Sequence, residues 1–320
     1  MRPVEVINKS WVKDKAQIVE WNVTRRCNFN CSYCDDTGNN PVGFHFKHDS
    51  ISKHPSLETM ISIIDGVERL GYYDIGWALS GGEPLTVPHI YEVLKYLRES
   101  EPYGISVVTN GSVGLNRILK CFELLDHLIV SFHFEFTQNR TDEYFNKIVE
   151  IDKISKDTGK KFTPRFLLYP GEFDYFRKMH ARLLDAGVQV AEFRNIIPLP
   201  GSDKMYTQEE EQDILWWRNN TGRYAKNIEL LFDDGTRKET YPDEITLNNW
   251  NKFKEWTCSV GINQIHIGPN GEVYRGTCRA GGQLGNITDP NFKMPTEPIT
   301  CPFETCIDYI DISTPKHEKA

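Results

Sequence analysis

Short apolar runs alternate with longer amphipathic stretches from residue 18 to about residue 198. The segment IVEWNVT at 18–24 predicts a strand, because every second residue is apolar. Similar patterns predict further strands at 74–80, 105–109, 128–134, 162–168 and 190–196, and helices at 56–70, 88–100, 115–125, 141–157 and 173–186. Strands that alternate with helices indicate a parallel sheet with right-handed crossovers, so the predicted fold class is α/β.

The same alternation turns several polar side chains away from the covering helices. These inward-facing residues are Ser131, His133, Glu135, Arg165, Glu192 and Arg194. A closed barrel fills its interior with Val, Ile and Leu. The polar lining therefore predicts a wider, partial (β/α)6 TIM-like barrel whose lumen holds a ligand. We take His133, Glu135 and Arg194 as candidate catalytic residues; the alternative is a salt-bridge network that ties the barrel ends together.

The pattern changes after the segment PLPG at 198–201. A polar stretch with a helix near 210–219 precedes two predicted hairpins, which turn at Asp234-Gly235 and at Asn270-Gly271. We divide the chain into an N-terminal extension (1–17), the barrel (18–200), a linker helix and hairpin (201–256) and a small C-terminal hairpin domain stapled by cysteines (257–320).

Composition and charge narrow the range of functions. A net charge of −8 argues against a nucleic-acid partner, since such partners need clustered Lys and Arg. No apolar run approaches the roughly 18 residues of a membrane span, and the N-terminus has no signal-peptide pattern. We therefore expect a cytoplasmic protein without a membrane partner. In that compartment, eight cysteines indicate metal ligation rather than disulfides.

Three unusual segments follow successive predicted strands. CNFNCSYC, with Cys27, Cys31 and Cys34, follows the first strand, GGEP (81–84) follows the second, and TNG (109–111) closes the third. The carboxyl ends of parallel strands meet at one rim, so we expect these segments to lie together. Three thiolates leave one iron of a cubane iron–sulfur cluster without a protein ligand. A zinc knuckle or a simple electron-transfer cluster is the alternative interpretation.

CNFNCSYC followed by GGEP resembles the radical S-adenosylmethionine (radical SAM) enzymes over roughly residues 18–198. The resemblance implies a [4Fe–4S] cluster whose fourth iron binds the amino and carboxylate groups of SAM. It also implies reductive cleavage of SAM to a 5′-deoxyadenosyl radical, which abstracts a hydrogen atom from an unactivated carbon of the substrate. A flavodoxin- or ferredoxin-type partner would supply the electron.

Family roles carry over where the motifs match. Tyr33 lies where an aromatic residue flanks the adenine, and Glu83 is expected to accept a hydrogen bond from the methionyl amine. The other residues that the resemblance assigns to SAM binding are Gly81 and Gly82, whose backbone approaches the amine, Pro84 and Asn110 of the same motifs, Ser131 and Arg165 for the ribose and carboxylate, and Ile197 for the adenine. Asn110-Gly111 is also simply a good turn dipeptide.

A second set of cysteines lies in the C-terminal region: Cys258, Cys278, Cys301 and Cys306. Four thiolates suit zinc or an iron–sulfur cluster. Their position after the barrel resembles the twitch domain, the shortened relative of the SPASM domain, and implies a second, auxiliary [4Fe–4S] cluster. The spacing departs from that pattern, because the first interval is long and the last pair is C-x4-C. Cys121 falls on an apolar helical face and is predicted to be a core thiol.

The leading functional hypothesis is a radical SAM oxidoreductase or maturase that oxidises, cross-links or epimerises a peptide or small-molecule substrate. Ligation by all four late cysteines would leave none of them as a hydrogen donor, which argues against epimerisation. A twitch-type dehydrogenase of a sugar, polyol or nucleoside is an alternative, since polar lumen residues suit hydroxyl recognition. A non-enzymatic iron–sulfur or zinc protein is the alternative from another class.

Overall fold

The computed structural model describes residues 1–9, 16–34, 50–189, 191–196, 206–220 and 227–319. Ile197 lies outside the described residues. In chain order the strands are β1 (Pro3–Asn8), β2 (Ala16–Thr24), β3 (Tyr73–Gly81), β4 (Gly104–Thr109), β5 (His127–His133), β6 (Lys161–Leu168), β7 (Glu192–Asn195), β8 (Ile228–Phe232), β9 (Arg237–Thr240), β10 (Thr257–Cys258), β11 (Gln264–Ile267), β12 (Glu272–Tyr274), β13 (Gly285–Asn286), β14 (Ile299–Thr300) and β15 (Lys316–His317).

The helices lie mainly between the first strands, as the periodicity predicts. They are α1 (Leu57–Glu68), α2 (Ile90–Glu99), α3 (Leu115–Phe122), α4 (Phe134–Thr137), α5 (Thr141–Thr158), α6 (Phe173–Asp185), α7 (Gln208–Asn220), α8 (Pro242–Leu247) and α9 (Tyr309–Ser313). Ser56 caps α1 by accepting a hydrogen bond from the Thr59 amide at 3.1 Å. Within the described ranges, no helix is both long and apolar enough to cross a membrane.

Strands β2 to β7 form a parallel sheet in sequence order, which confirms the predicted α/β class. Its outer face packs on the helices through large side chains. Phe132 of β5 stacks on Phe166 of β6 and contacts Tyr144 of α5, with ring centroids 4.6 and 5.8 Å apart. All three rings are fully buried, so the sheet–helix interface forms the main core.

The second predicted hairpin is present, but it does not stand apart from the barrel. Its first strand, β11, pairs in parallel with β2, so that β11, β12 and β13 extend the barrel sheet beyond β2. Local periodicity predicts the hairpin and its turn, because both depend on neighbouring residues. It does not predict a parallel partner that lies more than two hundred residues earlier in the chain.

A second sheet has the order β14-β10-β15-β1-β8-β9. Strand β1, which the sequence analysis placed in an N-terminal extension, lies between β15 and β8 and is antiparallel to both. Its Val6 packs in a small core with Phe253 and Cys306. The first residues of the chain are therefore a structural part of the region that carries the late cysteines.

Helix α1 packs against the backbone that follows β13. A Cβ atom at Gly66 would lie 2.3 Å from the carbonyl oxygen of Ile287, closer than van der Waals contact allows. Glycine is a poor helix former, so this position is explained by the close approach and not by helix propensity.

We expect Gly66→Ala to lower the free energy of unfolding by about 1–3 kcal/mol, because the steric cost exceeds the gain in helix propensity of about 1 kcal/mol. Gly76→Ala is the matched control, since a Cβ there would meet nothing within 4 Å. Urea unfolding of both variants measures the difference. A Gly66→Ala variant as stable as the wild type would contradict this packing.

Candidate active site at the rim of the sheet

The loop after β2 carries three thiols close together. The Cys34 amide donates to the Cys31 carbonyl oxygen at 3.1 Å, and the Phe29 amide donates to the Cys27 sulfur at 3.4 Å. Burial, together with the neighbouring Cys34 and Cys27, raises the pKa of Cys31 to about 12. Thiols at such a loop fit a metal or iron–sulfur group, because binding that group would offset the cost of deprotonating them.

Glu83 connects the second and third motifs. Its side chain has no exposed surface, and its Oε1 accepts hydrogen bonds from the Leu85 amide at 3.0 Å and the Thr109 hydroxyl at 2.6 Å. Its Oε2 accepts from the Asn110 amide at 2.6 Å. Burial raises the pKa of Glu83 to about 7 against the opposing effect of these donors. Glu83 is therefore a positioning residue that holds the second and third motifs together, and its expected hydrogen bond to a methionyl amine stays a prediction.

Gly81 and Gly82 lie against the base of the cysteine loop. The Gly82 amide donates to the Thr24 carbonyl oxygen, and the Glu83 amide donates to that of Arg26, both at 2.8 Å. A Cβ atom at Gly82 would lie 2.1 Å from the Arg26 carbonyl oxygen. The protein's own backbone thus explains why glycine is needed here, and the expected approach of this backbone to a methionyl amine stays a prediction.

The third motif closes on the same loop. Nδ2 of Asn110 donates to Oδ1 of Asn28 at 3.1 Å and lies 3.9 Å from the Cys27 sulfur. Pro84 begins a 3-10 turn at Pro84–Thr86, in which Pro84 and Leu85 are buried. The predicted meeting of the three motifs at one rim is therefore confirmed by direct contacts.

His133 contacts the cysteine loop from the end of β5. Its Nδ1 lies 3.0 Å from the Tyr33 hydroxyl and 3.3 Å from the Cys31 sulfur, and the His133 and Tyr33 rings are nearly parallel. Burial lowers the pKa of His133 to about 4, so the imidazole is neutral at neutral pH. Glu135 lies in α4 and not on the strand, and its carboxylate accepts from the Ser32 amide at 2.8 Å. Both residues support the loop.

Ser131, Arg165 and Glu192 lie side by side on β5, β6 and β7. Glu192 is only 2% exposed; Nε of Arg165 donates to it at 2.7 Å, and Arg194 bonds its other oxygen. These cations lower the pKa of Glu192 to about 2 despite its burial. The guanidinium of Arg194 also lies 4.1 Å from the centroid of the Tyr309 ring. For Arg165 and Arg194 the structure thus matches the salt-bridge alternative.

Three carboxylates come together where β2 meets the C-terminal tail: Glu20 and Asp311 are buried, and Asp308 is half-buried. Oxygen atoms of Glu20, Asp308 and Asp311 are within 4.8 Å of one another. Asp311 accepts hydrogen bonds from the Gln264 amide group at 2.7 Å and the Cys278 backbone amide at 2.6 Å. Burial and the neighbouring Asp308 raise the pKa of Asp311 to about 7. Sequence reasoning missed this cluster, although the alternation along β2 does turn Glu20 inward.

The four late cysteines meet at one cavity. Cys258, Cys278, Cys301 and Cys306 line it together with the apolar side chains of Phe253, Val260, Ala280, Ile299 and Phe303, and with Asp311 and Lys316. Four thiols in an apolar cavity fit zinc or an iron–sulfur cluster. Asp311 belongs both to this cavity and to the carboxylate cluster, so the cavity adjoins that cluster. Cys121, by contrast, is 1% exposed in the barrel core, as predicted.

Comparisons with known proteins identify a family for the barrel region. Residues 21–201 match the family model described as the Radical SAM superfamily. The radical SAM cyclopropyl synthase TigE of Paramaledivibacter caminithermalis is 23% identical over 301 residues, which cover 88% of this chain and 62% of TigE. The chain thus spans less than two thirds of the length of this relative.

Two solved structures have a similar fold. Native anSMEcpe with bound AdoMet superimposes with a TM-score of 0.54 at 16% identity, covering 86% of this chain and 78% of that one. Streptococcus suis SuiB bound to the precursor peptide SuiA gives a TM-score of 0.54 at 13% identity, covering 86% and 63%. At such identities the likeness shows the fold alone.

We expect Glu83→Ala to lower the free energy of unfolding at pH 7 by about 3 kcal/mol, because three buried donors lose their acceptor. A carboxylate whose pKa is raised on folding contributes most stability below its unfolded pKa and loses it as pH rises through about 7. The difference in the free energy of unfolding between wild type and variant should therefore increase by about 2 kcal/mol from pH 7 to pH 5.

Urea unfolding at the two pH values measures this gap. Glu150→Ala, at an exposed position of α5, is the control and should change stability by less than about 0.5 kcal/mol. A gap for Glu83→Ala that does not change with pH would show that the carboxylate titrates normally, against the account given above.

Proposed function

This chain belongs to the radical SAM superfamily, and on that premise we propose that it cleaves SAM reductively and abstracts a hydrogen atom from an unactivated carbon of its substrate. The proposal rests on the arrangement of the three motifs at the rim of the sheet. Three thiols occupy one loop, and Glu83 and Asn110 fix that loop beside a polar lumen. A zinc knuckle would need no such lumen.

Cys27, Cys31 and Cys34 would hold a [4Fe–4S] cluster. When bound, that cluster supplies one electron to SAM and so gives methionine and the 5′-deoxyadenosyl radical. The residues around it keep the thiols in place: Ser32 is held by Glu135, and Cys31 and Tyr33 both contact His133. Tyr33, Ser131 and the backbone of Ile197 remain proposed SAM contacts, and the ion-paired Arg165 would meet the SAM carboxylate.

Cys258, Cys278, Cys301 and Cys306 would hold a second [4Fe–4S] cluster, as in a twitch-like domain. Support comes from their convergence on one apolar cavity that shares Asp311 with the carboxylate cluster of Glu20 and Asp308. A redox group at that place would exchange electrons with a substrate bound between the two cysteine sets. We therefore propose an oxidoreductase or maturase, with a flavodoxin- or ferredoxin-type protein as reductant.

A peptide is the substrate class that we favour. SuiB, which has a similar fold, has been solved with a precursor peptide. A sugar, polyol or nucleoside is the second candidate, because the neighbouring carboxylates of Glu20 and Asp308 suit hydroxyl recognition. Incubation of the reconstituted enzyme with each substrate class, followed by a search for altered mass, distinguishes the two.

We expect the anaerobically reconstituted chain to form 5′-deoxyadenosine from SAM and dithionite, and Cys31→Ala to reduce that rate at least about 100-fold, since one ligand is lost. Cys121→Ala is the matched control and should keep most of the rate, because this thiol lies in the core. Chromatography with mass detection measures the product. A wild-type protein with full iron content that forms none would contradict the proposed function.

A further inference from the structure

Lys316 is a buried lysine that faces the four-cysteine cavity. It lies in β15, directly opposite Cys258 of β10 on one side and Val6 of β1 on the other. Ile299 of β14 lies opposite Cys258 in turn. Residues opposite one another in neighbouring strands present their side chains on the same face. Lys316, Cys258 and Ile299 accordingly all line the cavity, and Lys316 is only 3% exposed.

The hydrogen bonds of Lys316 require the charged form. Its Nζ donates to the carbonyl oxygens of Asp311 at 2.7 Å, Ile312 at 3.0 Å and Thr314 at 2.6 Å. Three donated bonds use three N–H groups, which only the ammonium has. The ring of Phe253 lies 4.8 Å from the nitrogen on another side. The charge is thus fixed in place by the carbonyl oxygens at the C-terminal end of α9 and by an aromatic face.

No carboxylate among the described residues forms an ion pair with Lys316, although Asp311 lies in the same cavity wall. A buried charge without an ion-paired partner is costly, and a methionine would fill the same space without that cost. Four thiolates around a metal group carry the negative charge that would offset it.

We propose that Lys316 is a positioning residue that sets a fixed positive charge beside the metal group of the four-cysteine cavity and so raises the reduction potential of that group. The inference rests on the second cluster of the proposed function. Reduction adds negative charge, and a nearby cation in an apolar environment favours the more negative state. The cavity is then suited to accept an electron rather than to donate one.

The test uses full-length chains with Cys27→Ala/Cys31→Ala/Cys34→Ala, so that only the C-terminal cavity binds a cluster. Lys316→Met and Lys316→Arg are added separately, and Lys153→Met, an exposed lysine of α5, is the charge-matched control. After anaerobic reconstitution, iron is counted and the midpoint potential is measured by redox titration monitored by electron paramagnetic resonance.

We expect Lys316→Met to lower the midpoint potential by at least about 59 mV, a tenfold change in the one-electron equilibrium. Lys316→Arg and Lys153→Met should leave it nearly unchanged. Lys316→Gln, which still donates to the carbonyl oxygens, replaces Met if that variant fails to fold, and the same decrease is expected.

The possible outcomes test the role of Lys316 and the presence of the second cluster separately. An unchanged potential in an iron-loaded neutral variant overturns the role of Lys316 and leaves the second cluster intact. Loss of iron from both neutral variants overturns it too, in favour of a purely structural lysine. Absence of iron from the parent with Lys316 overturns the second cluster itself, and the inference with it.

Discussion

The hydrogen bonds to the buried carboxylate of Glu83 are the constraint on which the rim depends. They join the loop after β3 to the loop after β4. The backbone amides of Gly82 and Glu83 in turn form hydrogen bonds with the base of the cysteine loop. The thiols are therefore placed by hydrogen bonds among the protein's own groups. This explains why glutamate and glycine are required at the rim even before any cofactor is considered.

The other side of the lumen is built differently, because strands from both ends of the chain meet there. β1 and β15 lie together in the second sheet, and Lys316 of β15 faces the cavity of the four late cysteines. Asp311 connects this cavity to the carboxylates of Glu20 and Asp308. The cavity of the four late cysteines and the carboxylate cluster thus share one residue, Asp311.

Much of this could be predicted from local pattern. Alternation in β2 to β7 gave the strands and their inward faces, and the carboxyl-end rule gave the meeting of the motifs. The role of Glu83 could not be predicted, because its hydrogen-bond partners are the protein's own donors. The sequence GGEP does not indicate that this side chain is buried. The pairing of β11 with β2 and of β1 with β15 could not either, since it joins segments that share no local periodicity. The grouping of Asp308 and Asp311 with Glu20 could not be predicted either, because both lie in a tail without periodicity.

The central claim is that the chain offers two separate thiolate sites, each for one cubane cluster. The most direct measurement is iron and sulfide per chain after anaerobic reconstitution, in the wild type and in variants that replace either cysteine set by alanine. The account predicts about eight irons in the wild type and about four in each variant. About four irons in the wild type, falling to none when Cys27, Cys31 and Cys34 are replaced, would contradict it.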